Sequence, residues 1–246
     1  MKKVKDVIQA PMGETTVLLH TCCAPCSSAI IEAMMQNGIT PVIYYCNPNI
    51  YPQEEYEIRK NECTRYAQSL GLEIVDADYD HENWLESMKG LENEPERGGR
   101  CLKCFKLRLL RTAQYARERG IKAITTTLAS SRWKSLDQIN EAGQWACNEL
   151  QRRFSAASLA SARCSENIEA ATVPDPNLSE WSVCPHGAVG DSRLGVNPVP
   201  PDNCVVWWDQ NWRKGGLQER RLQIIKEYDF YNQLYCGCEF SMRKDV

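Results

Sequence analysis

Apolar residues along this chain come in two rhythms, and their alternation predicts the elements. Short apolar runs read as buried strands: Thr15–His20 around Val17, Leu18 and Leu19, then Pro41–Tyr45, Glu73–Val75 and Ile121–Thr126. Between them the helical period takes over. One helix follows Cys26 through Ile30, Ile31, Ala33 and Met34 and closes at Gly38; a second spans Gln53–Leu70 and ends at Gly71. Further helices are predicted over His81–Met88, Cys101–Arg119 and Ser135–Glu149, the second of these carrying an apolar stripe of Leu102, Phe105, Leu109, Ala113 and Ala116. Strand–helix alternation of this kind predicts an α/β fold, a mostly parallel sheet with helices on both faces. In such sheets, sites form where strands end in loops at the carboxyl edge, and Thr21–Cys26 lies at such an edge.

The pattern lapses over residues 154–203, which are rich in Ser, Ala, Pro, Asn and Gly and show no clear period. We read this stretch as an irregular insertion within a single domain spanning 1–246. Its local charge is −4, which leaves the rest of the chain at +1 within a total of −3. Order returns at Val205–Trp208, followed by a C-terminal helical part over Leu217–Glu227.

Composition changes the picture in two places. Forty-three percent of the 246 residues are hydrophobic, enough for a core without disulfide staples. The segment before Gly13 lacks the apolar centre of a signal peptide, and no apolar run approaches the ~20 residues of a membrane span. The expectation is a soluble, cytoplasmic protein with no membrane partner. Thirteen cysteines, odd in number and unevenly spaced, then argue for metal binding or redox chemistry rather than a disulfide framework. The second place is Arg97–Lys122, where nine bases stand against the single acid Glu118. That run suits either a polyanion or an ordinary solvated helix face.

Cysteines cluster at Cys22-Cys23-x-x-Cys26, Cys101-x-x-Cys104 and Cys236-x-Cys238. Cys101 and Cys104 sit three apart at a helix start, on one face, where the helix N-terminus favours thiolate. These seven thiols exceed the four that a tetrahedral zinc takes. A cubane cluster uses up to four and leaves three for a second metal or for redox chemistry. An iron–sulfur site, a zinc site and a thiol–disulfide couple all stay open on the residues alone. Cys63 and Cys147 read as buried small hydrophobes, and Cys46 lies near the site by topology. Cys164, Cys184 and Cys204 are too scattered for a ligand set, even with His186.

Six segments together resemble one family: His20-Thr21-Cys22-Cys23-Ala24-Pro25-Cys26, Tyr45-Cys46-Asn47-Pro48-Asn49-Ile50, Glu55-Tyr56, Arg100-Cys101-x-x-Cys104, Thr125-Thr126-Thr127-Leu128 and Tyr235-Cys236-Gly237-Cys238. The chain resembles epoxyqueuosine reductases of the QueH type over about residues 15–150 and 205–243. The resemblance implies a Rossmann-like (HUP-like) catalytic domain that reduces the epoxide of epoxyqueuosine, at the wobble position of certain tRNAs, to the alkene of queuosine and water. It also implies a [4Fe-4S] cluster beside a further iron, no cobalamin, and an electron donor that the sequence does not identify. Carried over by position, Cys22, Cys23, Cys101 and Cys104 would bind the cluster, and Cys26, Cys236 and Cys238 would hold the second iron, catalytically. Family members can carry an aspartate at the position of Cys26. His20, Tyr45 and Tyr235 are proton-donor candidates by adjacency.

For tRNA, Arg100, Lys103, Arg132, Lys134, Arg213 and Lys214 flank these segments and are the expected phosphate contacts, with Trp133, Trp208 and Trp212 available to stack bases. A rival on a similar sheet, an ATP-dependent tRNA-modifying enzyme, needs a glycine-rich phosphate loop after the first strand. Thr21–Cys26 contains no glycine, which disfavours it. Two further rivals would also use cysteine clusters: a zinc-stapled RNA-binding module without catalysis, and a thiol oxidoreductase that works without metal.

Overall fold

A computed structural model describes residues 7–166, 204–233 and 235–242. Five strands form one sheet: β1 (Thr16–His20), β2 (Thr40–Tyr45), β3 (Ile74–Asp76), β4 (Ala123–Thr126) and β5 (Val206–Trp207). Their order is β3-β2-β1-β4-β5 and every neighbouring pair is parallel. The centre of the sheet is its driest part: Val17, Leu18, Leu19, Ala123 and Ile124 are wholly buried. Strands covered on both faces need apolar residues at every position, which is why they read as runs rather than alternations.

The helices are α1 (Ala24–Gln36), α2 (Gln53–Ser69), α3 (His81–Ser87), α4 (Gly99–Glu118), α5 (Leu136–Glu166) and α6 (Leu217–Glu227). Two helical layers result, with α1 packed on α2 and α6 in one, and α4 packed on α5 in the other. From β1 the chain runs outward through α1, β2, α2 and β3, then crosses back to β4 on the far side of β1. The strand order therefore reverses between β1 and β4. Loops leaving the carboxyl ends of these two strands diverge and leave a crevice there.

Most predicted elements stand within two residues of their expected bounds. The clearest difference is α5, which continues from Glu149 to Glu166 and makes the first part of the expected irregular stretch helical. Residues 150–166 hold many alanines and no glycine or proline, so intrinsic propensity carries the helix on where amphipathic periodicity fades. The remainder of that stretch, 167–203, lies outside the described residues. Gly143 shows how tightly α5 meets the sheet edge: a Cβ there would fall 2.2 Å from the Trp207 ring. None of the helices among the described residues is long and apolar enough to cross a membrane.

Candidate active site

The turn after β1 places the first cysteines. Cys23 is the extended residue capping α1, and Pro25 occupies the first turn of that helix, where its missing N–H costs nothing. Ser27 N–H closes the turn onto Cys23 O at 3.2 Å. The thiols of Cys22, Cys23 and Cys26 consequently converge, all within 4.8 Å of one another, a set able to hold a metal ion. The switch point binds this turn to β4. Thr127 Oγ1 accepts from Cys22 N–H at 3.2 Å and lies 3.4 Å from Cys22 Sγ. Asn47 donates to Thr21 O at 2.9 Å from the end of β2.

A second group adjoins. Cys101, Cys104, Cys236 and Cys238 line a cavity of about 60 Å³ together with Arg108 and Lys134. On α4, every fourth residue from Arg100 through Cys104, Arg108, Thr112 and Ala116 is buried, so a row of polar residues faces inward beside the apolar stripe. The C-terminal arm that carries Cys236 and Cys238 has no strand to hold it. Instead Arg59 Nη1 and Nη2 donate to Cys236 O at 3.4 Å and Tyr235 O at 3.3 Å, while Tyr51 N–H donates to Gly237 O at 2.8 Å. Glu55 fixes the arginine through Nε at 2.7 Å and receives Tyr231 OH at 3.0 Å.

The electrostatics separate the thiols. Cys22 lies well below the ordinary thiol range because the Cys23 and Cys26 thiols hydrogen-bond to it, with Lys134 adding to the effect. Its neighbours move the other way: burial raises Cys23, and the contact with Cys22 pushes Cys26 up to about 11. Burial also raises Cys101 and takes Cys238 to about 12. The favourable N-terminus of α4 does not outweigh desolvation at Cys101, contrary to the thiolate expected there. Two cations, the buried Arg108 and the partly buried Lys134, answer these thiols. Burial opposes the charges of Arg108 and Lys134, but both are held above their ordinary values by surrounding sulfurs, Cys104 and Cys22 at the former, Cys236, Cys22 and Cys26 at the latter. Neither makes an ion pair with a carboxylate among the described residues. Arg108 instead donates to Cys46 O at 3.1 Å and Asn47 Oδ1 at 2.5 Å.

Several expected residues have other duties. His20 is wholly buried; its ring nitrogens meet Thr126 Oγ1 at 2.6 Å and Cys46 O at 3.0 Å, and burial lowers it to about 3, so it is a neutral strut. Tyr45 OH donates to Tyr56 O and Tyr235 OH to Tyr51 O, so neither hydroxyl is free. Arg100 is 3% exposed and donates from Nη1 to the carbonyls of Leu91, Glu92 and Glu94, which withdraws it from the phosphate contacts. Arg213 likewise donates to Ala129 O, Ser131 O and Lys134 O and pins the loop after β4. Trp208 and Trp212 are core residues, packed edge to face, and do not stack bases. Lys103, Arg132 and Lys214 are exposed. Trp133, 68% exposed with the Arg132 guanidinium 4.9 Å from its ring centre, stands at the cavity mouth. The basic run Arg97–Lys122 is mostly occupied internally, as with Lys106 on Glu141 and Arg119 on Glu73.

Other neighbours of the thiols carry no sign in the sequence. Gln233 Nε2 lies 3.0 Å from Cys23 Sγ. Arg59 carries the arm, and its only local sign is the i, i+4 spacing from Glu55. Trp84 also lines the cavity and carries no mark in the sequence, whereas Asn49 lies within one of the family segments.

Comparison with known proteins decides what this crevice belongs to. A profile of the family described as "Epoxyqueuosine reductase QueH" matches residues 17–172 and 195–244. The chain belongs to the QueH family of epoxyqueuosine reductases. It is 38% identical over 240 residues to the QueH protein of Histophilus somni (strain 129Pt), covering 98% of this chain and 77% of that one. With the QueH protein of Acinetobacter baylyi (strain ATCC 33305 / BD413 / ADP1) it shares 37% over 243 residues, covering 99% and 88%. As a QueH protein it is an oxidoreductase of tRNA processing and queuosine biosynthesis. The family match covers both flanks of the stretch expected to be an insertion and leaves out 173–194 within it.

Proposed function

We propose that this enzyme reduces epoxyqueuosine to queuosine at the wobble position of tRNA in the cytoplasm, as one catalytic domain over residues 1–246, with electrons from a separate donor. Loss of the epoxide oxygen as water consumes two electrons and two protons. A [4Fe-4S] cluster held by Cys22, Cys23, Cys101 and Cys104 would supply single electrons, and a second iron held by Cys26, Cys236 and Cys238 would supply a Lewis acid for the epoxide oxygen. No cobalamin is required.

The observation that carries the reading is the approach of two thiol groups near the switch point, with the buried Arg108 and the partly buried Lys134 among them and, among the described residues, unpaired by carboxylates. A cluster ligated by four thiolates is anionic, so two cations withdrawn wholly or partly from water suit it better than a set of neutral thiols. Lys134 hydrogen-bonds Cys236, and the charges of Cys22 and Cys26 also act on it. Its place supports a role in orienting an anionic or polar ligand between them. At the mouth, Trp133 and Arg132 offer a face on which an unpaired anticodon base can stack. The strand order β3-β2-β1-β4-β5 is that of doubly wound nucleotide-binding sheets and supports a Rossmann-like (HUP-like) kinship.

The test is iron, zinc and acid-labile sulfide per chain on anaerobically purified protein, followed by assay on epoxyqueuosine tRNA. About five irons and four sulfides are expected. Zinc without sulfide would overturn the reading in favour of a structural metal site, and full activity without metal would favour a thiol oxidoreductase.

A further inference from the structure

An indole N–H has no lone pair to offer and can only donate. Trp84 is 3% exposed and lines the cavity, yet its Nε1 has no acceptor, whether oxygen, nitrogen or sulfur, among the described residues. Leaving such a donor dry is costly, and buried tryptophans ordinarily find a partner. Two other buried polar atoms at this cavity, Asn49 Oδ1 and Gln138 Oε1, also lack partners, but both accept. Trp84 is the unpartnered donor.

Its ring cannot readily turn away. It stacks on His81 with centroids 5.5 Å apart, lies 6.2 Å from Phe240, and its backbone N–H is tied to Asp80 O at 3.2 Å. The indole packs with Cys104 and Met88 in a small cluster separate from the main core, flanked by Leu107, Cys238 and Phe240. An ordered water needs two to four polar partners, and the residues packed directly on the indole offer sulfur instead, from Cys104, Cys238 and Met88.

We propose that Trp84 Nε1–H donates a hydrogen bond to a sulfur of the metal centre that Cys104 helps to hold, and so sets the reduction potential of that centre. This rests on the cluster reading above. A donor aimed at cluster sulfur stabilises the more negative, reduced form and raises the potential. Trp84 is then a tuning residue rather than a ligand or a proton source.

The experiment is an EPR-monitored redox titration of wild-type protein and Trp84→Phe, both loaded anaerobically and matched for iron and sulfide. At the wild-type midpoint, the ratio of reduced to oxidised cluster in the variant should fall about tenfold, a shift of ~59 mV for a one-electron couple. Coincident midpoints overturn the inference and leave the cluster reading intact. Wild-type protein that holds no iron and sulfide overturns both. Should Trp84→Phe fail to fold or load, pulsed EPR on the reduced Trp133→Phe protein with ¹⁵N-indole tryptophan decides the matter. A hyperfine coupling to an indole nitrogen supports the inference, and its absence, or its appearance only when tRNA is added, overturns it.

Discussion

Cys22, Cys23 and Cys26 sit on one turn at the end of the central strand, whereas Cys101 and Cys104 come from α4 and Cys236 and Cys238 from an arm at the far end of the chain. The trio is held by the sheet: backbone pairing of β1 with β2 and β4, a proline in the first turn of α1, and the Thr127 contacts. The arm is held chiefly by the Arg59 side chain and by one backbone bond, Tyr51 N–H to Gly237 O. The trio is therefore shaped by the most buried strands of the protein, whereas Cys236 and Cys238 depend on a few contacts between a strandless arm and the body of the fold. Stability that varies in this way is expected where a protein must admit a large substrate.

The strongest way to break the comparison is to remove one thiol from each half. Cys23→Ala is expected to abolish sulfide and nearly all iron, and with them activity; Cys238→Ala is expected to keep the four sulfides and lose about one iron. Equal loss in the two variants, read by metal analysis, would show that the halves do not load separately. Next in size is Arg59→Met, which leaves Glu55 buried without its partner and the Tyr235 and Cys236 carbonyls without donors. We expect a destabilisation of about 3 kcal/mol in denaturant unfolding and early proteolysis within the arm. Unchanged stability would mean that the arm is held by something else. Gly237 refines the same point: at φ +107°, a Cβ would meet Arg59 Nη1 and Ile50 Cγ1 at 3.0 Å. Gly237→Ala should cost about 1–3 kcal/mol. A smaller loss of arm protection, read by hydrogen exchange, would show that the arm can shift to accommodate it.

The smallest effects belong at the mouth. Trp133→Ala should weaken tRNA binding about tenfold while changing stability by less than ~0.5 kcal/mol. Binding that is unchanged at several salt concentrations would remove the stacking platform. Lys103→Ala or Lys214→Ala should flatten the salt dependence of binding by about one unit each, and an unaltered slope takes that lysine off the contact surface.

Much of the fold is legible in the sequence because local signals agree with one another. Val17–Leu19 reads as a buried strand from any side, and Gly38, Gly71 and Gly120 stop helices in the left-handed conformation that glycine adopts freely, at φ +74°, +69° and +67°. The full length of α5 is not legible, because its last turns lack an amphipathic pattern although nothing in them ends a helix. The thiols are legible as clusters, since spacing alone brings Cys22, Cys23 and Cys26 together. The basic residues are not, because a charge has no address in sequence. Arg100 and Arg108 look like their exposed neighbours and point inward, turned there by the fourfold spacing of the buried face of α4.

The sequence by itself therefore determined the parallel α/β order, the strand-end turn that gathers three thiols, and the family to which the chain belongs. These depend on short-range period and on motifs whose residues are close together. Only the tertiary structure decided that the Cys101 and Cys236 segments share one cavity, that His20 is a neutral strut, and that Trp84 carries an unanswered N–H. Each of those is a matter of burial and of partners brought from distant segments, and both arise only when the layers pack.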